Sequence, residues 1–160
     1  MVPIVKDMSA KKGKLVMWFA NTNSWATCEH LLEDMANLSS RPAVVGFAEH
    51  RLADSLRRDT AVRWLGKGGY KSQLEAAATT DKEGPLATSA GVGLAFADNF
   101  PHKFYNTPAG PLSGRVQSGW LKRGPTGGIA IFVVYFHVSA FILRYSKPQS
   151  YICILAWHPN

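Results

Sequence analysis

Two rhythms of apolar and polar positions divide this chain. Over its first seventy residues, short apolar runs alternate with stretches of helical period. Lys14 to Ala20 (Lys-Leu-Val-Met-Trp-Phe-Ala) predicts a strand that ends in the polar quartet Asn21-Thr22-Asn23-Ser24, a turn and helix cap. From Trp25 the apolar positions Cys28, Leu31, Leu32, Met35 and Leu38 recur at helical spacing, and Ser39-Ser40-Arg41-Pro42 stops them. Ala43 to Ala48 predicts a short buried strand running into Glu49-His50-Arg51. Leu52, Leu56 and the pair Trp64-Leu65 then predict a second helix, closed by Gly66-Lys67-Gly68-Gly69.

Beyond residue 70 the pattern turns to strands. Tyr70 to Ala76, Ser89 to Ala97, Lys103 to Tyr105, Arg115 to Leu121 and Ile129 to Val138 are strand candidates, separated by glycine- and proline-bearing turns. Strand, helix, strand, helix and then a run of strands predict a layered α/β domain. Residues 1–13 read as a flexible basic lead-in, 14–143 as the domain, and 144–160 as an irregular carboxyl tail in which Tyr151 to Trp157 has strand character.

The composition permits a real core. The chain has 160 residues, 46% hydrophobic and 18% charged, which excludes a linker, a collagen or a coiled coil. Cys28 and Cys153 make no disulfide framework and no zinc-finger spacing. The amino terminus lacks the apolar segment of a signal peptide, so the expectation is an intracellular protein, nuclear or cytoplasmic. Ile129 to Leu143 runs fifteen residues without a charge. That is short of the roughly 20 residues of a membrane span, and its β-branched and aromatic content suits a strand buried on both faces instead.

Charge placement changes the picture more than net charge does. The formal charge of +7 favours an anionic partner such as DNA or RNA. Twelve bases and all eleven acids lie in the first 98 residues, whereas the last 62 carry six bases and no acid. A hard-metal site needing several carboxylates must therefore draw all of them from before Asp98.

Polar residues at the ends of adjacent buried strands converge on one edge of a sheet. Asn21, Asn23, Glu49 and the strand of Tyr135 and His137 are such residues. A carboxylate holds a divalent cation and an asparagine amide holds a phosphate oxygen or orients a carboxylate, which together make half of a metal-assisted phosphodiester site. Plainer roles stay open for each. Asn21 and Asn23 suit a turn and cap, Glu49 can pair with Arg51, and Tyr135 and His137 can be packing residues with one hydrogen bond. Trp25, Trp64 and Trp120 read as core. Arg115, Lys122 and Arg123, near turns, can meet phosphates.

Five segments in order carry a resemblance: Phe19-Ala20-Asn21-Thr22-Asn23-Ser24-Trp25, Phe47-Ala48-Glu49-His50, Ser89-Ala90-Gly91-Val92-Gly93-Leu94, Gly114-Arg115-Val116 and Val133-Val134-Tyr135. From about Leu15 to His137 the chain resembles the endonuclease/exonuclease/phosphatase superfamily, which includes apurinic and retroelement endonucleases. The resemblance implies a deoxyribonuclease-like four-layer α/β/β/α sandwich, here partial and truncated, that hydrolyses phosphoesters with Mg²⁺. It implies Asn21 as the first active-site asparagine, Asn23 as metal support, Glu49 as metal ligand and Tyr135 as the phosphate-contacting tyrosine, with His137 in a comparable place in a deoxyribonuclease-like alignment.

The chain departs from that family after Tyr135, where the family carries Asp-x-Asn, a further Asp and a closing Asp-His pair. No acid follows Asp98. The expectation is a nuclease-like domain with little or no turnover, and a second chain is one way to complete the fold. Two other function classes stay open, a non-catalytic nucleic-acid-binding remnant and a protein-interaction or non-functional fragment. Salt-sensitive binding that survives Glu49→Gln separates the first of these from an enzyme.

Overall fold

The computed structural model describes residues 8–10, 13–37, 41–79, 88–107, 109–125, 127–136 and 151–152. These form a mixed α/β arrangement of two helices and two four-stranded sheets, with two short hairpins beside them. His137 and most of the tail lie outside the described residues.

The first short hairpin pairs β1 (Met8–Ala10), in the stretch read as a lead-in, with β2 (Gly13–Leu15), which straddles its boundary with the domain. The first large sheet holds β3 (Met17–Asn21), β4 (Val44–Ala48), β5 (Tyr70–Leu74) and β8 (Val92–Ala97), in the order β3-β4-β8-β5. β3 and β4 are parallel, and β8 runs antiparallel to both of its neighbours. A parallel β3-β4 pair needs a crossover, and α1 (Trp25–Ala36) provides it. Ser24 caps that helix by accepting from Thr27 N at 3.2 Å. Asp54 likewise caps α2 (Ser55–Lys67) by accepting from Arg57 N at 2.9 Å. Both helices lie on one face of this sheet, where Cys28, Leu32, Met35, Leu52, Ala61 and Leu65 meet Val45, Phe47, Tyr70, Leu74 and Ala95. Leu56 is not among them. It stands on the first turn of α2, 68% exposed, while the face is built from Ala61 and Leu65 one turn apart.

The stretch Ser89 to Ala97 is interrupted. Ala90 and Gly91 both adopt positive φ, 62° and 82°, and split it into β7 (Thr88–Ser89), paired with β6 (Ala78–Thr79), and β8. The second large sheet is antiparallel throughout, in the order β12-β11-β10-β9. Its strands are β9 (His102–Phe104), β10 (Val116–Arg123), β11 (Gly127–Phe136) and β12 (Tyr151–Ile152). From the tail, Ile152 pairs with Tyr135 and Tyr151 with Phe136.

The two sheets pack face to face. Met17, Phe19, Val44, Val92, Leu94 and Phe96 of the first meet Leu121, Ile129, Ile131, Val133 and Tyr135 of the second in one buried cluster. Gly46 lets them approach, since a Cβ there would come within 2.8 Å of Val133. The run after residue 129 is therefore not buried equally on both faces. Ile129, Ile131, Val133 and Tyr135 fill the core, while Phe132 and Val134 are half-buried on the far face. Among the described residues no helix is long and apolar enough to cross a membrane.

Candidate functional site

The carboxyl ends of β3 and β4, the start of β8, the start of β10 and the end of β11 all fall at one end of the paired sheets. Asn21 ends β3 in register with Ala48, so Asn21 and Glu49 emerge side by side. Residues Val44 and Ala48 point into the inter-sheet core, and Val45 and Phe47 point toward the helices. Strict alternation would send Glu49 toward the helices as well. Its backbone instead turns left-handed, with φ at 60°, and the carboxylate reaches the second sheet. There Tyr135 Oη donates to Glu49 Oε1 at 2.7 Å, joining residues 86 positions apart in a buried contact. Glu49 is 8% exposed, so this is a carboxylate largely withdrawn from water.

Arg115 completes this corner. Tyr135 N donates to Arg115 O at 2.8 Å, and the guanidinium carbon lies 6.0 Å from the Tyr135 ring centroid. The cation is thus held beside the tyrosine that bonds Glu49. Asn21 Oδ1 accepts from Asn23 N at 3.3 Å, an Asx-type turn that orients the asparagine at the strand end. Asn23 is exposed with φ at 55°. Thr22 ties the turn down, donating from both N and Oγ1 to Ala48 O.

Beneath the corner, His50 is 1% exposed and held by hydrogen bonds at both ring nitrogens. Its Nδ1 accepts from Leu52 N at 3.0 Å, so Nε2 carries the proton and faces Val92 O at 3.3 Å. Burial, outweighing the backbone carbonyls that favour the cation, pushes its pKa down to about 4. Gly91 packs on this ring, where a Cβ would lie 2.7 Å from His50 Cε1. His50 is therefore a neutral structural support. The Cys28 thiol, buried in the helix-side core beside Glu29, is pushed well up and stays protonated.

Of the residues singled out in the sequence, the fold gathers Asn21, Asn23, Glu49, Tyr135 and Arg115 at one end. Lys122 and Arg123 stand at the opposite end of β10 from Arg115. Seven residues of strand separate Arg115 from Lys122, about 23 Å, so the three do not form one phosphate cradle. His137 lies outside the described residues. Trp25 packs edge-on to Phe47 and Trp64 on the helix side, but Trp120 belongs to neither core cluster.

Two residues at this end carried no sequence signal. Glu75 follows β5, and its Oε1 accepts from Thr107 Oγ1 and, at 3.5 Å, from Gln73 Nε2. Gln117 is wholly buried on the core side of β10, where its Nε2 donates to Ser118 O and its Oε1 finds no hydrogen-bond partner among the described residues. Nothing in the local sequence marks that glutamine as internal.

The donor set limits what can bind. Among the described residues no three His, Cys, Asp or Glu side chains gather as a metal cluster. Mg²⁺, however, commonly takes one or two carboxylates and keeps its waters. Glu49 Oε2 with the Asn21 amide fits such a water-rich site, and fits no dehydrated, multi-carboxylate one. A cavity of about 450 Å³ between the carboxyl ends of the helices, lined by Leu32, Met35, Arg41, Trp64 and Tyr70, is at the other end of the molecule and has no part in this corner.

No protein-family model, no curated protein and no solved structure matches the chain.

Proposed function

We propose that the Asn21-Glu49-Tyr135-Arg115 corner is the amino-side half of a Mg²⁺-assisted phosphodiester site. On this reading it sits in part of a deoxyribonuclease-like four-layer sandwich and turns over little or no substrate by itself. The observation that carries it is the 2.7 Å bond from Tyr135 Oη to Glu49 Oε1, which closes a chemically competent pair from strands of two different sheets. Tyr135 fixes one carboxylate oxygen of Glu49 and leaves Oε2 to a cation. Asn21, oriented by its own turn, offers an amide to a phosphate oxygen, and Arg115 supplies positive charge beside it. A bound Mg²⁺ would polarise the phosphoryl group and acidify a water.

Turnover also needs a base for that water and donors for the leaving oxygen. The 160 residues carry no acid beyond Asp98 to supply either from the later strands. Removing one such group costs about two to four powers of ten in rate.

Nicking of abasic and plain DNA, measured with Mg²⁺ beside Mn²⁺ binding followed by paramagnetic NMR broadening, tests this. The expected result is weak cation binding that Glu49→Gln removes, with cleavage at background. Broadening unchanged in Glu49→Gln would overturn the site, and robust cleavage lost in Glu49→Gln would overturn the inactivity.

A further inference from the structure

The register of the second sheet sorts its side chains into two faces. Leu121, Ile129, Ile131 and Val133 lie in the inter-sheet core, and the pairs Gln117 with Val133, Gly119 with Ile131 and Leu121 with Ile129 share that side. The alternate pairs therefore take the far side, Val116 with Val134, Ser118 with Phe132, Trp120 with Ala130 and Lys122 with Gly128; there Ser118, Gly128 and Ala130 are buried, Val116, Trp120, Phe132 and Val134 are half-buried, and Lys122 is exposed. β9 obeys the same parity. Phe104 and His102 pack on Phe96 in the core, while Lys103 pairs with Trp120 and points out. Tyr105, bonded through its N to Ser118 O and 38% exposed, joins that outer row. Lys103 Nζ lies 5.9 Å from its ring centroid, on the same side.

This outer face has a distinct chemistry. Three aromatic rings, Trp120, Phe132 and Tyr105, stand among Lys103 and Lys122. Trp120 lies flat enough that a Cβ on Gly128 would come within 2.3 Å of its ring. The face holds no carboxylate, as every acid of the chain falls at or before Asp98. The helix-side cluster contains no residue of β9, β10 or β11, so both helices cover the other sheet.

We propose that this face binds single-stranded nucleic acid, stacking bases on Trp120, Phe132 and Tyr105 and drawing phosphates to Lys103 and Lys122. Stacking accepts any base, because every base has a π-face, and the cations are sequence-blind. Trp120 and Phe132 are diagonal neighbours on adjacent strands, about 7–8 Å apart, a spacing that unstacked consecutive nucleotides can bridge. An anionic strand fits the face because it brings phosphates to both lysines and bases to the rings, whereas an uncharged apolar layer would have to desolvate both lysines without compensation. The surface is separate from the Glu49 corner and does not depend on it.

Fluorescence anisotropy of a short labelled oligothymidylate with the full chain, repeated with its duplex and with a heparin fragment, tests the proposal. The single strand should bind most tightly. Tyr105→Ala, at an exposed position that folding does not need, and Trp120→Ala should each weaken it about tenfold, with Trp120→Phe recovering most of the loss. Lys103→Gln together with Lys122→Gln should reduce the log-log salt slope by about 1.4, and Glu49→Gln should change nothing. Duplex or heparin bound as tightly as the strand, with no loss in Tyr105→Ala, would overturn the proposal. So would self-association that Trp120→Ala abolishes while the oligonucleotide is ignored, since that result would assign the face to a second copy.

Discussion

The two ends of the paired sheets solve the same problem, turning the chain, in different ways. At the end away from Glu49, the left-handed positions are glycines: Gly69 leads into β5 and Gly124 turns β10 into β11, at φ 76° and 68°. Glycine adopts this conformation at no steric cost. The Glu49 end also uses glycines, Gly91 and Gly114, but there four residues with side chains adopt the same conformation, Asn23, Glu49, Arg51 and Ala90, at φ between 55° and 62°. Each such residue costs on the order of 1 kcal/mol and persists only where its surroundings hold it. The first end is built for folding alone. The second accepts strain, and what that strain achieves is visible at Glu49, whose side chain leaves the helix side and meets Tyr135.

The sharpest way to test this contrast is to add one methyl group to a glycine at each end. Gly91 has φ at 82° and the His50 ring 2.7 Å from a new Cβ, whereas Gly124 has φ at 68° and open space around it. Gly124→Ala should lose only the backbone term, about 1 kcal/mol. Gly91→Ala adds a clash with a buried ring to the same term and should lose about 3 to 4 kcal/mol by urea denaturation. Equal losses would mean that the Glu49 end is packed no more tightly than the hairpin opposite.

His50 gives that end a pH dependence. The unfolded chain takes up its proton near pH 6.5, while the folded chain resists until about pH 4. The unfolded state thus binds more protons in this window, so stability falls as pH drops from about 6.5 and levels off below about 4. The loss attributable to this group is about 3 kcal/mol. His50→Phe should be less stable at pH 8, since Leu52 N and Val92 O lose their partner, yet should show a flatter stability profile between pH 6.5 and 4. A slope unchanged by His50→Phe would place the titrating group elsewhere.

The glycine-built end was largely legible in the sequence, and the strained end was not. Helical spacing from Cys28 to Met35, the stop at Gly66-Lys67-Gly68-Gly69 and the β-branched, uncharged run from Ile129 are local signals, and each element they predict is present within a few residues, although the run is not buried equally on both faces. Leu56 misled because a hydrophobic residue near a helix start need not share the buried stripe. Trp120 misled because bulk alone does not say which face a strand turns inward; pairing register does. At the other end, Asn21 and Glu49 were recognisable as strand-end residues, but the 2.7 Å bond to Tyr135 depends on one backbone angle at Glu49 that no propensity scale foretells. The split of the Ser89 to Ala97 run has the same origin, since an alanine in the left-handed region leaves no mark on a hydrophobic pattern.

Asn23 offers the smallest effect and the finest discrimination, because it separates strain kept for shape from strain kept for chemistry. It is exposed, with φ at 55°, and its N–H bonds Asn21 Oδ1 at 3.3 Å, an interaction that any residue but proline retains. Asn23→Ala should lose about 1 kcal/mol, because alanine tolerates the left-handed region less well than asparagine. Asn23→Gly relieves the backbone but loosens the unfolded chain, so stability should stay within about 0.5 kcal/mol of the parent. That near-neutral variant keeps the turn and deletes only the amide. If Asn23 supports a cation beside Glu49, Mn²⁺ broadening at the Glu49 corner should weaken in Asn23→Gly while the urea midpoint holds. Broadening that matches the parent in Asn23→Gly, but falls in Glu49→Gln, would reduce Asn23 to a turn residue and leave Glu49 and Asn21 as the corner's cation ligands.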